Sequence, residues 1–230
     1  MKNFIILFSL LACFSVKAQD YPRVVTPGNG AEPPSDAIIL FDGKNFVEWE
    51  KVGGGDVMWK LADNAMTVVS GTGSIQTKKS FGDIQFHIEW RIPANVSGEG
   101  QNKGNSGIHL QNLYEIQILD SYQNLNKTYV DGTAASIYTQ SAPLVNACRK
   151  AGEWQAYDII YMAPRFNSDG TLEIPARITV LHNGVLVQNN FIIKGTTYDK
   201  SGYKLHDKLP LQLQDHGNAV SFRNIWVREL

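Results

Sequence analysis

From Asp83 to Ile92 the chain alternates without a break. Ile84, Phe86, Ile88, Trp90 and Ile92 take one parity, and Asp83, Gln85, His87, Glu89 and Arg91 take the other. A period of two places the two sets on opposite faces of an extended strand. Residues Ala176–His182 and Val185–Asn189 flank Asn183-Gly184, a pair suited to positive φ at both turn positions and hence to a hairpin. Shorter runs predict further strands at Ala37–Phe41, Val57–Leu61, Ala65–Val69, Gly107–Gln111, Leu113–Leu119, Trp154–Met162, Leu209–Gln214 and Val220–Glu229. No stretch carries a sustained helical stripe. Many short strands with Gly-rich turns predict an antiparallel sandwich or barrel. Residues 98–104 read as a polar loop and residues 121–152 as a long mixed one, the kind of loop that is often functional.

Several strands carry large polar side chains at i and i+2. The pairs are Glu89 with Arg91, His109 with Gln111, Glu115 with Gln117, and Gln212 with Gln214; His216 lies just beyond the last, and Arg223 follows Ser221. A solvated sheet face favours Lys, Ser and Thr. Here Gln, His, Arg and Glu dominate, and planar amides, guanidinium and carboxylate groups suit sugar hydroxyls. The reading is that neighbouring strands aim Glu115, Arg91, His109 and His216 into one shared cleft. A β-bulge at Ile118-Leu119 would also turn Asp120 to the side of Glu115, giving two carboxylates on one floor.

Composition narrows the partners. The 230 residues hold 21 basic and 22 acidic side chains, a net charge of −1, so no basic field exists for nucleic acid. Residues 1–18 read as an export signal, with Lys2 before an apolar run and Val16-Lys17-Ala18 at its end; the run is too short for a membrane span. The rival reading is a lipoprotein anchored through Cys13. Either way the protein is expected outside the cytoplasm, periplasmic or secreted. Pro22, Pro27, Pro33 and Pro34 mark 19–35 as a linker, leaving one domain at 36–230. There is no G-x-S-x-G elbow, P-loop, H-E-x-x-H or C-x-x-C pair.

Several segments resemble the 3-keto-disaccharide hydrolase domain family. They are Leu40-Phe41-Asp42-Gly43-Lys44 with Trp49, Glu89-Trp90-Arg91-Ile92, Gly104-Asn105-Ser106-Gly107-Ile108, Tyr114 through Asp120, Gly152-Glu153-Trp154, His182-Asn183-Gly184, and Leu213 through Gly217 with Phe222-Arg223-Asn224-Ile225. The resemblance implies an antiparallel two-sheet jelly-roll sandwich of the concanavalin A-like type. It also implies a glycoside substrate oxidised at C3. A C3 ketone acidifies the C2 proton; its removal gives an enolate that expels the C1 substituent, and hydration completes net hydrolysis. On the strand-face reading, Glu115 or His216 is the base, and Asp120 or the other of that pair is the acid. Arg91 or Arg223 meets the enolate oxygen, and Glu89, Asn105, His109, Gln111, Gln117 and Gln214 bind substrate. A divalent metal at that oxygen is left open, and no other cofactor is implied. Two alternatives stand beside this reading. In a laminarinase-like hydrolase the Glu115, Gln117, Asp120 spacing fits, but the middle acid is an amide. The other is a non-catalytic carbohydrate-binding module.

Overall fold

The computed structural model describes residues 21–28, 32–199 and 201–230. The expected export signal and Cys13 lie outside them. Two antiparallel sheets pack face to face. The larger runs β13 (Val185–Ile192), β12 (Arg177–His182), β9 (Gln155–Met162), β6 (Ile84–Arg91), β15 (Ser221–Glu229), β4 (Ala65–Thr67) and β3 (Lys60–Ala62), and β1 (Ile38–Phe41) also pairs with β15. The smaller runs β2 (Trp49–Lys51), β5 (Ile75–Phe81), β14 (Leu209–Leu213), β7 (Ser106–Leu110) and β8 (Tyr114–Ile118). A ribbon of β10 (Arg165–Phe166) and β11 (Leu172–Ile174) stands apart. Late strands insert between early ones: β14 separates β5 from β7, and β15 separates β6 from β4. This interleaving is that of a jelly-roll sandwich. Among the described residues no helix is long and apolar enough to cross a membrane.

Alternation fixes which side chains enter the core. Ile84, Phe86, Ile88 and Trp90 of β6 are fully buried, and Tyr157, Ile159 and Tyr161 of β9 join them. From the smaller sheet come Ile108 and Leu110, Tyr114, Ile116 and Ile118, and Leu211 and Leu213. Each fully buried Ile, Leu or Phe contributes roughly 1.5–3 kcal/mol. Polar atoms tie the layers together. The Tyr157 hydroxyl of β9 donates to the Gln117 carbonyl of β8 at 2.9 Å. The Asn183-Gly184 hairpin forms as expected, with φ of 53° and 80°.

Gln111 is a correction to the sequence reading. It follows β7 with φ of 51°, so it leaves the strand's alternation and turns inward. Its Nε2 donates to the Phe81 carbonyl at 2.9 Å and its Oε1 accepts from Tyr161 at 2.8 Å. Both ends of the amide serve the core, not a substrate. Gln111→Met keeps the volume but strands two buried polar groups. It is expected to cost about 3 kcal/mol, at 1–3 kcal/mol per orphaned group. A thermal melt should fall by roughly 6–12 °C in a domain of this size.

Candidate active site

Directly opposed residues of antiparallel strands share a face. In the smaller sheet Glu50 opposes Gln76, Gln76 opposes Gln212, Gln212 opposes His109, and His109 opposes Glu115. Apart from Lys51 at the end of β2, their neighbours in sequence enter the core, so this row lies across the outer face, one polar side chain on each of five strands. In the next rung the Gln214 amide donates to the Gly107 carbonyl at 3.0 Å, and Gly107 opposes Gln117.

An outer face is normally wet, yet Glu115 is 2% exposed and His109 and Gln117 are 1% exposed. Loops cover them. Residues 134–141 lie along the free edge of β8: Tyr138 donates its amide to the Glu115 carbonyl at 3.1 Å, and Ala135 donates to the Gln117 carbonyl at 2.9 Å. This closes an edge that would otherwise recruit another chain. On the same edge the Thr197 hydroxyl accepts the Glu115 amide at 2.8 Å, and from there Tyr198 donates its hydroxyl to Glu115 Oε2 at 2.8 Å. Gln214 Nε2 in turn donates to the Tyr198 oxygen at 3.2 Å. Tyr129 and Tyr138 join hydroxyl to hydroxyl in the covering loop.

Burial sets the electrostatics. It pushes the Glu115 carboxyl up to about 7, against the lowering pull of the Tyr198 hydroxyl. It also pulls the His109 imidazole down to about 4, so the ring is neutral at pH 7. His109 Nε2 stands 4.0 Å from Glu115 Oε1. With both groups desolvated in these directions, the pair is a neutral imidazole beside a titrating carboxyl, not an ion pair. Six buried side-chain polar atoms among the described residues have no partner. Five of them belong to this region: both His109 nitrogens, Gln117 Oε1, Gln214 Oε1 and Asn112 Oδ1. Unpaired buried polar atoms are costly, so their concentration marks a place built for a polar ligand.

The sequence-predicted residues divide. Glu115, His109, Gln117 and Gln214 come together as expected. Asn105 supports the group at one remove, its Nδ2 reaching the Gln101 carbonyl at 2.7 Å. Gln101 was missed by sequence reasoning. Its Oε1 accepts from Gln117 at 2.8 Å, while its Nε2 reaches the Gly132 carbonyl at 2.8 Å and so pins the covering loop.

Asp120 does not join Glu115. β7 and β8 pair without a register shift as far as Ser106↔Ile118, where the ladder ends, so no bulge within it brings Asp120 round to the side of Glu115. On so regular a strand, five residues span about 16 Å. The Asp120 carboxylate instead meets Lys103 Nζ at 3.0 Å. His216 sits exposed in the turn after β14, where only its carbonyl is engaged, accepting from Asn218 at 3.2 Å.

Glu89, Arg91 and Arg223 belong to β6 and β15 of the larger sheet, on its outer face and therefore on the far side of the sandwich. There Arg223 Nε donates to Glu89 Oε2 at 2.6 Å. The Arg223 and Arg91 guanidinium carbons lie 4.1 Å and 4.5 Å from the Trp154 ring. Asn224, at φ of 46° in a bulge of β15, donates to Glu89 Oε1 at 2.9 Å. Burial would raise the Glu89 carboxyl, but its bonds to His87, Asn224 and Arg223 hold it down to about 2. This network fixes the bulge and does not reach Glu115. The single shared cleft expected from the sequence is thus two separate faces, and only the smaller sheet's face carries the enclosed carboxyl. No three His, Cys, Asp or Glu side chains converge as a metal cluster among the described residues.

Tyr198→Phe tests the electrostatics. Loss of the hydroxyl removes a bond that favours the carboxylate, so Glu115 should titrate above 7. The titration midpoint of the Glu115 carboxyl, followed by carbon-13 NMR, is expected to move up by about one pH unit. A midpoint that stays in place would show that Tyr198 does not act on the Glu115 charge.

Comparison with known proteins agrees with this fold. A candidate glycosyl hydrolase from Parabacteroides distasonis ATCC 8503 is 50% identical, with a TM-score of 0.87 over 94% of this chain and 95% of that one. A second candidate glycosyl hydrolase from the same organism is 21% identical, with a TM-score of 0.62 over 84% of this chain and 94% of that one. Curated proteins give no match. Residues 36–228 match the profile of the 3-keto-alpha-glucoside-1,2-lyase-like domain. The chain belongs to the 3-keto-alpha-glucoside-1,2-lyase-like domain family.

Proposed function

We propose that this protein cleaves 3-keto-glycosides by removing the C2 proton, with Glu115 as the base. The observation that carries the reading is the enclosed Glu115 carboxyl, poised near 7 on a face of unpaired amides and imidazole nitrogens. A base works best when its pKa lies near the working pH. Glu115 takes the proton from C2, and the C–H electrons form the enolate onto the C3 oxygen. Neutral His109 offers an N–H to that oxygen, in the place the sequence reading gave to Arg91 or Arg223. A neutral imidazole of depressed pKa is a sound donor to a developing oxyanion. Collapse of the enolate breaks the C1–O bond. Tyr198, 2.8 Å from Glu115, passes a proton to the leaving oxygen and recovers it from Glu115. Addition of water to the enone completes net hydrolysis.

Conventional glycoside hydrolysis, by double or single displacement, needs a second carboxyl about 5–10 Å from the first. Gln117 stands on the neighbouring rung and Asp120 is held by Lys103, so the geometry disfavours that route. The test is turnover of a 3-keto-glucoside and of its unoxidised parent in deuterated water. The proposal expects product from the ketone alone, with deuterium at C2. Product from the parent would establish a conventional hydrolase, and affinity without product a lectin-like module.

A further inference from the structure

An apolar cavity adjoins the enclosed carboxyl, and Thr197 couples the two. The Thr197 hydroxyl takes the Glu115 amide at 2.8 Å, and its own amide donates to the Leu113 carbonyl at 2.9 Å. The next residue, Tyr198, carries its hydroxyl to Glu115 Oε2 and also lines the cavity. Leu113, Leu205 and Leu209 form the rest of the apolar wall. The volume is about 330 Å³, within the range of small-ligand sites. Leu113 lies two residues before Glu115, roughly 7 Å along an extended chain, so the cavity begins one ring away from the base.

Two observations point to an occupant. Leu205 and Tyr198 are 64% and 68% exposed although both line the cavity. Large apolar side chains gathered at an open pocket mark a binding site. Asn112 lines it as well. Its Nδ2 donates to Gln76 Oε1 at 3.0 Å, while its buried Oδ1 has no partner. A buried acceptor left unpaired is costly, and a donor on a ligand would satisfy it.

The proton path sets the direction of the substrate. As the C1–O bond breaks, its electron pair stays on the leaving oxygen, which takes the Tyr198 proton. That oxygen therefore sits at the Tyr198 hydroxyl, and the group it carries extends past Tyr198 into the cavity. The opposite course along β8 is covered: Gln117 is 1% exposed, and Ala135 of the covering loop donates to its carbonyl at 2.9 Å. A leaving sugar would bring a ring of hydroxyls against leucine walls that cannot pair them. A phenol brings a flat apolar ring, and with a pKa of about 10, like Tyr, it accepts the electron pair more readily than a sugar alcohol does.

We propose that this cavity is an aglycone pocket and that the protein cleaves aryl 3-keto-glycosides, with a phenol as the leaving group. The proposal rests on Glu115 and Tyr198 acting on the ring beside it.

The experiment compares phenyl 3-keto-glucoside with methyl 3-keto-glucoside, using wild type, Leu205→Ser and Leu205→Met. Leu205 is exposed, so both variants are expected to fold, which a thermal melt checks. Leu205→Ser should lose about tenfold in kcat/KM on the phenyl substrate, mostly through KM, as the apolar contact is removed. The methyl substrate should lose clearly less, and Leu205→Met should restore the phenyl substrate. Equal losses on both substrates, or none on the phenyl one, would overturn the pocket. A lower KM for a 3-keto-disaccharide than for the phenyl glucoside would overturn the aryl assignment. Should wild type turn over none of these ketones, the chemistry assigned to Glu115 is what fails. Calorimetric binding of unoxidised phenyl and methyl glucosides then decides the pocket. Wild type should bind the phenyl glucoside about tenfold more tightly and lose that preference in Leu205→Ser; equal affinities in wild type would refute the pocket.

Discussion

Glu115→Gln is expected to abolish turnover of a 3-keto-glycoside and, at pH 8, to raise the melting temperature of the protein. Loss of a general base costs on the order of 10²–10⁴ in rate. The stability gain follows from the same burial. In the fold the Glu115 carboxyl titrates near 7, above its ordinary 4.5. A raised pKa means that folding favours the protonated form. The resulting stability is fully present below 4.5 and is lost as pH rises through 7. Above 7 the buried carboxylate therefore costs on the order of 3 kcal/mol, at 1.36 kcal/mol for each pH unit of displacement. The Gln amide has nearly the same shape, keeps an oxygen for Tyr198, and carries no charge. At pH 8 the variant should melt roughly 5–10 °C higher, while at pH 4 the gain should vanish. A variant less stable at both pH values would contradict a desolvated carboxyl. A site that sacrifices stability for a poised base is the ordinary form of a stability–activity trade.

Most of the architecture was legible because alternation is strong where one face is buried. Ile84 to Trp90 could belong only to a core-facing strand, and Asn183-Gly184 only to a turn. β5 was missed for a local reason. Its sequence Ile75-Gln76-Thr77-Lys78-Lys79-Ser80-Phe81 puts a polar residue, Thr77, into the core, where its hydroxyl donates to the Lys79 carbonyl and accepts from the Leu211 amide. A register shift opposite Pro210–Gln212 then breaks the parity. With β5 went Gln76, a member of the outer-face polar row.

The misassigned residues share another cause. A period of two tells which side chains point away from the core, but a sandwich has two outer faces. Glu89, Arg91 and Arg223 look in sequence like Glu115 and Gln117, and only sheet topology separates them. β6 and β15 pair in the larger sheet, β7 and β8 in the smaller. Tyr198, Tyr138 and Gln101 left no periodic signal, because they reach the site from loops. The unpaired His109 nitrogens, by contrast, could be found only from coordinates, since they are defined by what fails to surround them.

Gly107 offers the sharpest mechanical test of the assembled site. It opposes Gln117 on the outer face, and the Glu115 carboxyl lies across it. A Cβ built at Gly107 would stand 2.4 Å from Glu115 Oε1 and 3.0 Å from its Cδ. Its backbone is not left-handed, and the three atoms nearest that Cβ all belong to the Glu115 side chain. Gly107→Ala is therefore expected to push the carboxyl aside within a packed site, costing about 1–3 kcal/mol of stability. Displacing the base by about 1 Å should reduce kcat on the order of 10²-fold. Glu115→Ala removes the obstacle, so adding Gly107→Ala to that background should cost almost nothing, a coupling of about 1–3 kcal/mol between the two positions. Denaturant melts of the two single variants and the double variant measure it directly. Additive losses, or a Gly107→Ala enzyme with unchanged turnover, would show that Glu115 does not occupy the space above Gly107 when it acts, and the base would have to be sought elsewhere along the row.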